Sequence, residues 1–158
     1  MISAEAAADV ERPLVVGAAI FVVASAGVAI FQAIAPMSRG WWLVAFFALV
    51  GGVSQWLLGA GLVAAGDAGT SARAPGTPVL WNGGTLLVAA SDLADLPVGV
   101  LIGSALLLTA LLLFGCRLRA IVIHERVTPL SVGYAALLVV LAASVLIGAG
   151  LAAALPGQ

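Results

Sequence analysis

Long uncharged stretches constrain this chain more than any other feature of its sequence. The charged residues separate five uncharged runs: Pro13 to Ser38, Gly40 to Gly66, Ala74 to Ser91, Leu96 to Cys116 and Val127 to Gln158. A bilayer core about 30 Å thick is crossed by roughly 20 apolar residues of α-helix, and each run is near or above that length. The pattern therefore predicts an all-α fold, a polytopic transmembrane helical bundle.

Composition supports this class and limits the possible partners. Of 158 residues, 63% are hydrophobic and 8% are charged, which leaves too little polar surface to cover a water-soluble globule. The formal net charge of -1 argues against a nucleic-acid partner, because phosphate binding requires a basic face. All six basic residues are Arg, which together with the many Ala, Gly and Val residues is typical of a GC-rich prokaryotic genome. The expected partners are the lipid bilayer and other membrane protein subunits or copies of this chain.

Proline positions sharpen the helix boundaries. Proline is tolerated in the first turn of a helix, where its missing N–H would have no helical acceptor anyway. Pro13, Pro78 and Pro129 each stand at the start of a run, the last two directly after a Thr. The prediction is one transmembrane domain over residues 1–158, with spans at about 13–35, 41–65, 78–94, 97–116 and 129–155.

The third span is the weakest of the five. Pro78 to Ala94 gives roughly 25 Å of helix at 1.5 Å per residue, and Asn82, Gly83 and Gly84 lie inside it. The alternative is a half-helix lying in the membrane interface, which leaves four spans. With either count, Asp92 and Asp95 belong to the turn before Pro97, where they are expected to act as helix caps rather than as a cation site.

Arginine positions favour five spans, because short cytoplasmic loops retain Arg and Lys. With five spans and a cytoplasmic N-terminus, five of the six arginines lie inside and only Arg39 lies outside. With four spans the ratio becomes four to two. Both arrangements put the loop from Arg117 to Arg126 in the cytoplasm and the C-terminus outside the cell membrane.

Gln55 is the most unusual side chain within the predicted spans. A primary amide in hydrocarbon needs hydrogen-bond partners, since leaving them out costs several kcal/mol on hydrocarbon-transfer scales. Counting inward from the span ends puts Ser25 and Ser104 near the depth of Gln55. The sequence thus predicts an intramembrane polar layer of Gln55, Ser25 and Ser104, most simply as an element that holds helices together.

Small residues predict where the helices approach one another. Gly99 and Gly103 form a GxxxG pair, and Gly51 and Gly59 flank Gln55 at four-residue spacing. Helices in lipid associate where small residues let their backbones come close, so these four glycines are the candidate packing motif.

The segment from Cys116 to Thr128 carries most of the remaining polar chemistry. Its arginines, Arg117, Arg119 and Arg126, are candidate contacts for anionic lipid headgroups. His124 is the only histidine, and neither a second His nor a spaced Cys accompanies it, so no metal or cofactor is expected. The sequence places no group of potential catalytic side chains together at one face of the membrane, so we do not expect the protein to be an enzyme. The favoured function is an accessory or assembly subunit of a prokaryotic membrane complex, and the alternative is a small homo-oligomeric channel or transporter.

Overall fold

A computed structural model describes residues 4–64, 76–124 and 129–154 of the chain. The helices are α1 (Ala4–Ile34), α2 (Gly40–Phe46), α3 (Ser54–Ala64), α4 (Gly76–Leu93), α5 (Pro97–His124) and α6 (Pro129–Ala154). A π-helical stretch, Phe47–Val53, joins α2 to α3 and is called the π segment below. The described residues form helices and the turns between them, so the all-α prediction is confirmed for this part of the chain.

Four helical stretches are long and apolar enough to cross a membrane. They are Arg12–Ile34, Gly40–Gly61, Pro97–Ala120 and Pro129–Leu151. These stretches make the chain a multi-pass membrane protein by length and composition, as the uncharged runs predicted. The third predicted span, 78–94, corresponds to α4, which is not among the four, so the count of five is not confirmed.

Close approach of two glycines defines the contact between α4 and α5. A Cβ added to Gly84 would lie 2.9 Å from the Gly103 carbonyl oxygen, and one added to Gly103 would lie 2.8 Å from the Val88 nitrogen. Both distances are shorter than real side chains allow, so only glycine lets these backbones meet. At the turn, the Leu96 N–H donates to the Ser91 carbonyl at 2.8 Å, and Asp95 takes the left-handed φ of 53° that ends helices in this way.

Helix α1 packs along α2, the π segment and α3. Gly51 of the π segment lies directly against the ring of Phe21, and a Cβ on Gly52 would come within 2.7 Å of Val22. The loop that precedes α2 is fixed by Gln32, whose amide nitrogen donates to the Met37 carbonyl at 3.0 Å. The Gln32 side-chain oxygen in turn accepts the Met37 N–H at 2.8 Å.

An ion pair joins the α1–α2 loop to the α4–α5 turn. The Arg39 guanidinium donates to an Asp95 carboxylate oxygen at 2.6 Å and to the Asp92 carbonyl. These two turns therefore lie at the same end of the molecule, called the Arg39 end below. Toward the other end, the Tyr134 hydroxyl of α6 donates to the Leu58 carbonyl of α3 at 3.2 Å.

Helix α5 extends beyond its predicted end. The sequence placed Arg117 and Arg119 in a loop, but α5 continues to His124 and carries both arginines on helix. Leu118 is buried and Val122 packs against the core, so the apolar face of α5 continues past Cys116. Because that face has core to contact, the helix does not end at the first charge.

Candidate functional site

The π segment is held by side chains that donate to its backbone carbonyls. The Ser54 hydroxyl donates to the Leu49 carbonyl at 2.8 Å, and the Trp81 indole N–H donates to the Val50 carbonyl at 3.1 Å. A change from π to α hydrogen-bond spacing shifts the acceptors by one residue and deprives a carbonyl of its helical donor. Such a carbonyl is costly in hydrocarbon, and a side-chain donor such as the Trp81 indole offsets that cost. The Leu49 carbonyl also accepts the Ser54 backbone N–H, so the Ser54 hydroxyl is its second donor.

Gln55 connects the π segment to α4. Its side-chain nitrogen donates to the Gly51 carbonyl at 2.7 Å and to the Asn82 side-chain oxygen at 2.7 Å. Its own side-chain oxygen is buried and has no hydrogen-bond partner among the described residues. That oxygen lies against Gly17 of α1, where a Cβ would collide with it and would stand 3.1 Å from both terminal atoms of Asn82. Three helices therefore meet at one amide pair, in which Gln55 is buried and Asn82 is half-buried.

The predicted polar layer is divided between separate contacts. Gln55 takes Asn82 and Gly51 as its partners, whereas the Ser25 hydroxyl donates to the Val44 carbonyl at 2.9 Å. Ser104 is buried at 6% exposure and lines a cavity on another side of α4. The structure thus buries all three side chains but does not join Ser25 or Ser104 to Gln55 by a hydrogen bond.

The candidate packing glycines lie at helix contacts or are buried. Gly103 meets α4, Gly99 lies against the Ser91 side chain, and Gly51 lies against Phe21. Gly59 is buried in α3.

The candidate headgroup contacts lie toward the end opposite Arg39. Arg117 is half-buried, whereas Arg119 is exposed beside the exposed Cys116, where both line a shallow groove between α5 and α6. The prediction for Arg126 lies outside the described residues, as does that for the loop that follows His124.

A cavity of about 330 Å³, called the crevice below, lies between α2, the π segment, α4, α5 and α6. Most of its lining is apolar, with Trp42, Val50, Leu107 and Val145 on different helices. Trp42 stacks on Phe46 with ring centroids 4.9 Å apart, so this wall is held in place. The polar lining consists mainly of Asp92, Ser104 and Ser144.

The sequence analysis did not assign the contacts of Gly17, Trp81 and Asn82. Trp81 was expected near a membrane face, but it is completely buried and bonded to the π segment. An Asn within a predicted membrane span indicates a hydrogen bond to a neighbouring helix. The Asn82 amide needs hydrogen-bond partners for the same reason as the Gln55 amide, so the sequence could have predicted that the two side chains pair. Gly17 has no comparable signal, because one glycine among many does not reveal which amide it faces.

Among residues 4–64, 76–124 and 129–154, no three His, Cys, Asp or Glu side chains are grouped so that they could hold a metal ion. The chain matches no protein-family model, and comparisons with curated proteins and with solved structures also give no match.

Proposed function

We propose that α4 also crosses the membrane, which gives five crossings. Its 18 residues correspond to about 27 Å of helix at 1.5 Å per residue, close to the hydrocarbon thickness. Its polar groups face neighbouring helices: Thr85 is completely buried, and Asn82 accepts from Gln55. A crossing helix that is shielded from lipid needs less hydropathy than an exposed one.

The Arg39 contact supports this count independently. Between Arg39 and Asp95 the chain crosses once through α2, the π segment and α3. It can return to the same side only if α4 crosses as well, and the ion pair at 2.6 Å requires the same side. With the N-terminus in the cytoplasm, five of the six arginines lie on the cytoplasmic side of the cell membrane and the C-terminus lies on the outer side.

Cysteine labelling with a membrane-impermeant maleimide tests this topology. In a Cys116→Ser background, we expect Ser38→Cys and Leu96→Cys, both exposed positions in the two joined turns, to be labelled from outside intact cells. The native Cys116 should be labelled only after the membrane is opened. Labelling of residues 38 and 96 from opposite sides would mean that α4 does not cross.

We infer that the protein acts by helix packing, as an accessory or assembly subunit of a prokaryotic membrane complex. The observation that carries this proposal is the exposure of α6, in whose apolar stretch only 17% of the residues are buried. One face of α6 presents exposed residues at alternating four- and three-residue spacing: Ala136, Val140, Ala143, Ile147 and Gly150. This spacing is that of a helix-packing seam, and its small residues permit close approach of a partner.

Purification in a mild detergent separates this function from the alternative. Ala143→Phe on the α6 face should release subunits that co-purify with the wild-type chain. Leu112→Phe, at a position of α5 that is 70% exposed, should retain them. A pure homo-oligomer that moves a solute into vesicles would instead favour the channel or transporter.

A further inference from the structure

We propose that the crevice binds one membrane lipid that bears an ammonium headgroup. One of its acyl chains lies between α2 and α6, and its ammonium group lies at Asp92 near the Arg39 end. This inference requires only that the chain resides in a bilayer, and it does not rest on the proposed subunit function.

The size and apolar lining of the crevice fit an acyl chain. At about 330 Å³ it falls within the range of small-molecule sites, roughly 300 to 1,000 Å³. An empty apolar space forfeits van der Waals contacts, and water gains little there because most of the lining offers no hydrogen bond. In a bilayer, acyl chains are the apolar molecules present at the highest concentration.

Ser104 indicates that the occupant also carries a polar group. Its side chain is 6% exposed, lines the crevice and makes no hydrogen bond with any other described residue. Ser144 differs, since its hydroxyl donates to the Val140 carbonyl of its own helix at 2.9 Å. The hydroxyl oxygen keeps access to the crevice, and a hydroxyl that faces a mostly apolar cavity without a partner is unfavourable. The ester carbonyl of a lipid whose chain fills the crevice can accept the Ser104 hydrogen.

Charge at the Arg39 end selects the headgroup. Arg39 donates to the Asp95 carboxylate at 2.6 Å, whereas the nearest Asp92 carboxylate oxygen is 3.7 Å away, longer than a direct hydrogen bond. Asp92 therefore presents a carboxylate to the crevice that Arg39 neutralises only in part. Two carboxylates against one guanidinium favour a cationic group, so an ammonium-bearing lipid is preferred over an anionic one.

Native mass spectrometry of protein extracted from vesicles of equal phosphatidylethanolamine and phosphatidylglycerol tests the occupant. We expect one retained phosphatidylethanolamine per wild-type chain. Ala149→Phe fills the crevice from α6 and should lower retention at least about tenfold, whereas Ala143→Phe on the exposed α6 face should not. Equal retention in the two variants, or loss in Ala143→Phe alone, would overturn the site. If Ala143→Phe loses the co-purifying subunits but still retains phosphatidylethanolamine, the proposed subunit function and the lipid site are shown to be separate.

Two further measurements address headgroup choice and folding. Asp92→Asn should reduce the preference for phosphatidylethanolamine about tenfold. Asp95→Asn should also reduce it, because Arg39 is then left to neutralise Asp92 alone. An unchanged preference in both variants would refute the headgroup assignment. If Ala149→Phe does not fold, quenching of tryptophan fluorescence tests lipid binding instead. A Trp41→Phe, Trp56→Phe double variant keeps only the two tryptophans that line the crevice, Trp42 and Trp81. Chain-brominated phosphatidylethanolamine should then quench more strongly than brominated phosphatidylglycerol at equal content, and equal quenching would refute the proposal.

Discussion

The contact between Gly17 and the Gln55 amide makes a quantitative prediction. A methyl group at Gly17 collides with the Gln55 side-chain oxygen and stands 3.1 Å from both terminal atoms of Asn82. To admit it, the Gln55 amide must move away from its 2.7 Å hydrogen bond to Asn82. Overpacking of this kind costs about 1 to 3 kcal/mol of unfolding free energy.

Gly27→Ala is the matched control on the same helix. Nothing lies within 4 Å of a Cβ at that position, so the variant carries the change in helix propensity without the collision. The free energy of unfolding should therefore fall by about 2 kcal/mol more for Gly17→Ala than for Gly27→Ala. In a Gln55→Ala background the collision partner is gone, and the difference should shrink below about 0.5 kcal/mol.

Equilibrium unfolding by sodium dodecyl sulfate in mixed micelles, followed by tryptophan fluorescence, measures these differences. Trp81 is completely buried beside the amide pair and reports on its environment. Equal losses for the two alanine variants would refute the proposed contact. A Gly17→Ala penalty that persists without the Gln55 amide would assign the cost to another neighbour.

The same detergent titration tests two other contacts, followed by far-ultraviolet circular dichroism because one variant replaces Trp81 itself. Trp81→Phe removes the donor to the Val50 carbonyl and should lower the free energy of unfolding by about 1 to 3 kcal/mol. Trp56→Phe, at a side chain that is 54% exposed, should change it by less than about 0.5 kcal/mol. Similar losses in the two variants would contradict the importance of the indole hydrogen bond. Gly61→Ala places a methyl group in the ring of Tyr134 and should destabilise by about 1 to 3 kcal/mol, while Gly133→Ala meets open space. A Gly133→Ala variant as unstable as Gly61→Ala would rule out this explanation.

Several features of the fold could be predicted from the sequence because they depend on local properties. Uncharged length and helix-starting prolines predicted helices close to those observed for α5 and α6, which begin at Pro97 and Pro129. The start predicted at Pro13 is wrong, because α1 begins at Ala4 and has Pro13 inside it. A GxxxG pair marks a surface where backbones can approach regardless of the partner, and Gly103 does contact α4. The amide chemistry of Gln55 likewise indicated that it needs a partner.

The identity of that partner depended on the tertiary structure. Counting residues from span ends estimates depth, but it does not give the rotation of each helix or the angle at which helices cross. The π segment, Phe47–Val53, changes the number of residues per turn just before Gln55 and rotates everything that follows it relative to α2. As a result Gln55 faces Asn82 and Gly17 rather than Ser25 or Ser104.

The sequence by itself determined the class of protein, the four helical stretches that are long and apolar enough to cross a membrane, and the requirement for buried polar partners. Only the tertiary structure decided which groups satisfy that requirement and which turns share an end of the molecule, as Arg39 and Asp95 do. The physical reason is that hydropathy and helix propensity act within one segment. Hydrogen bonds and close contacts between helices depend instead on the relative rotation and depth of two segments, which neither segment encodes alone.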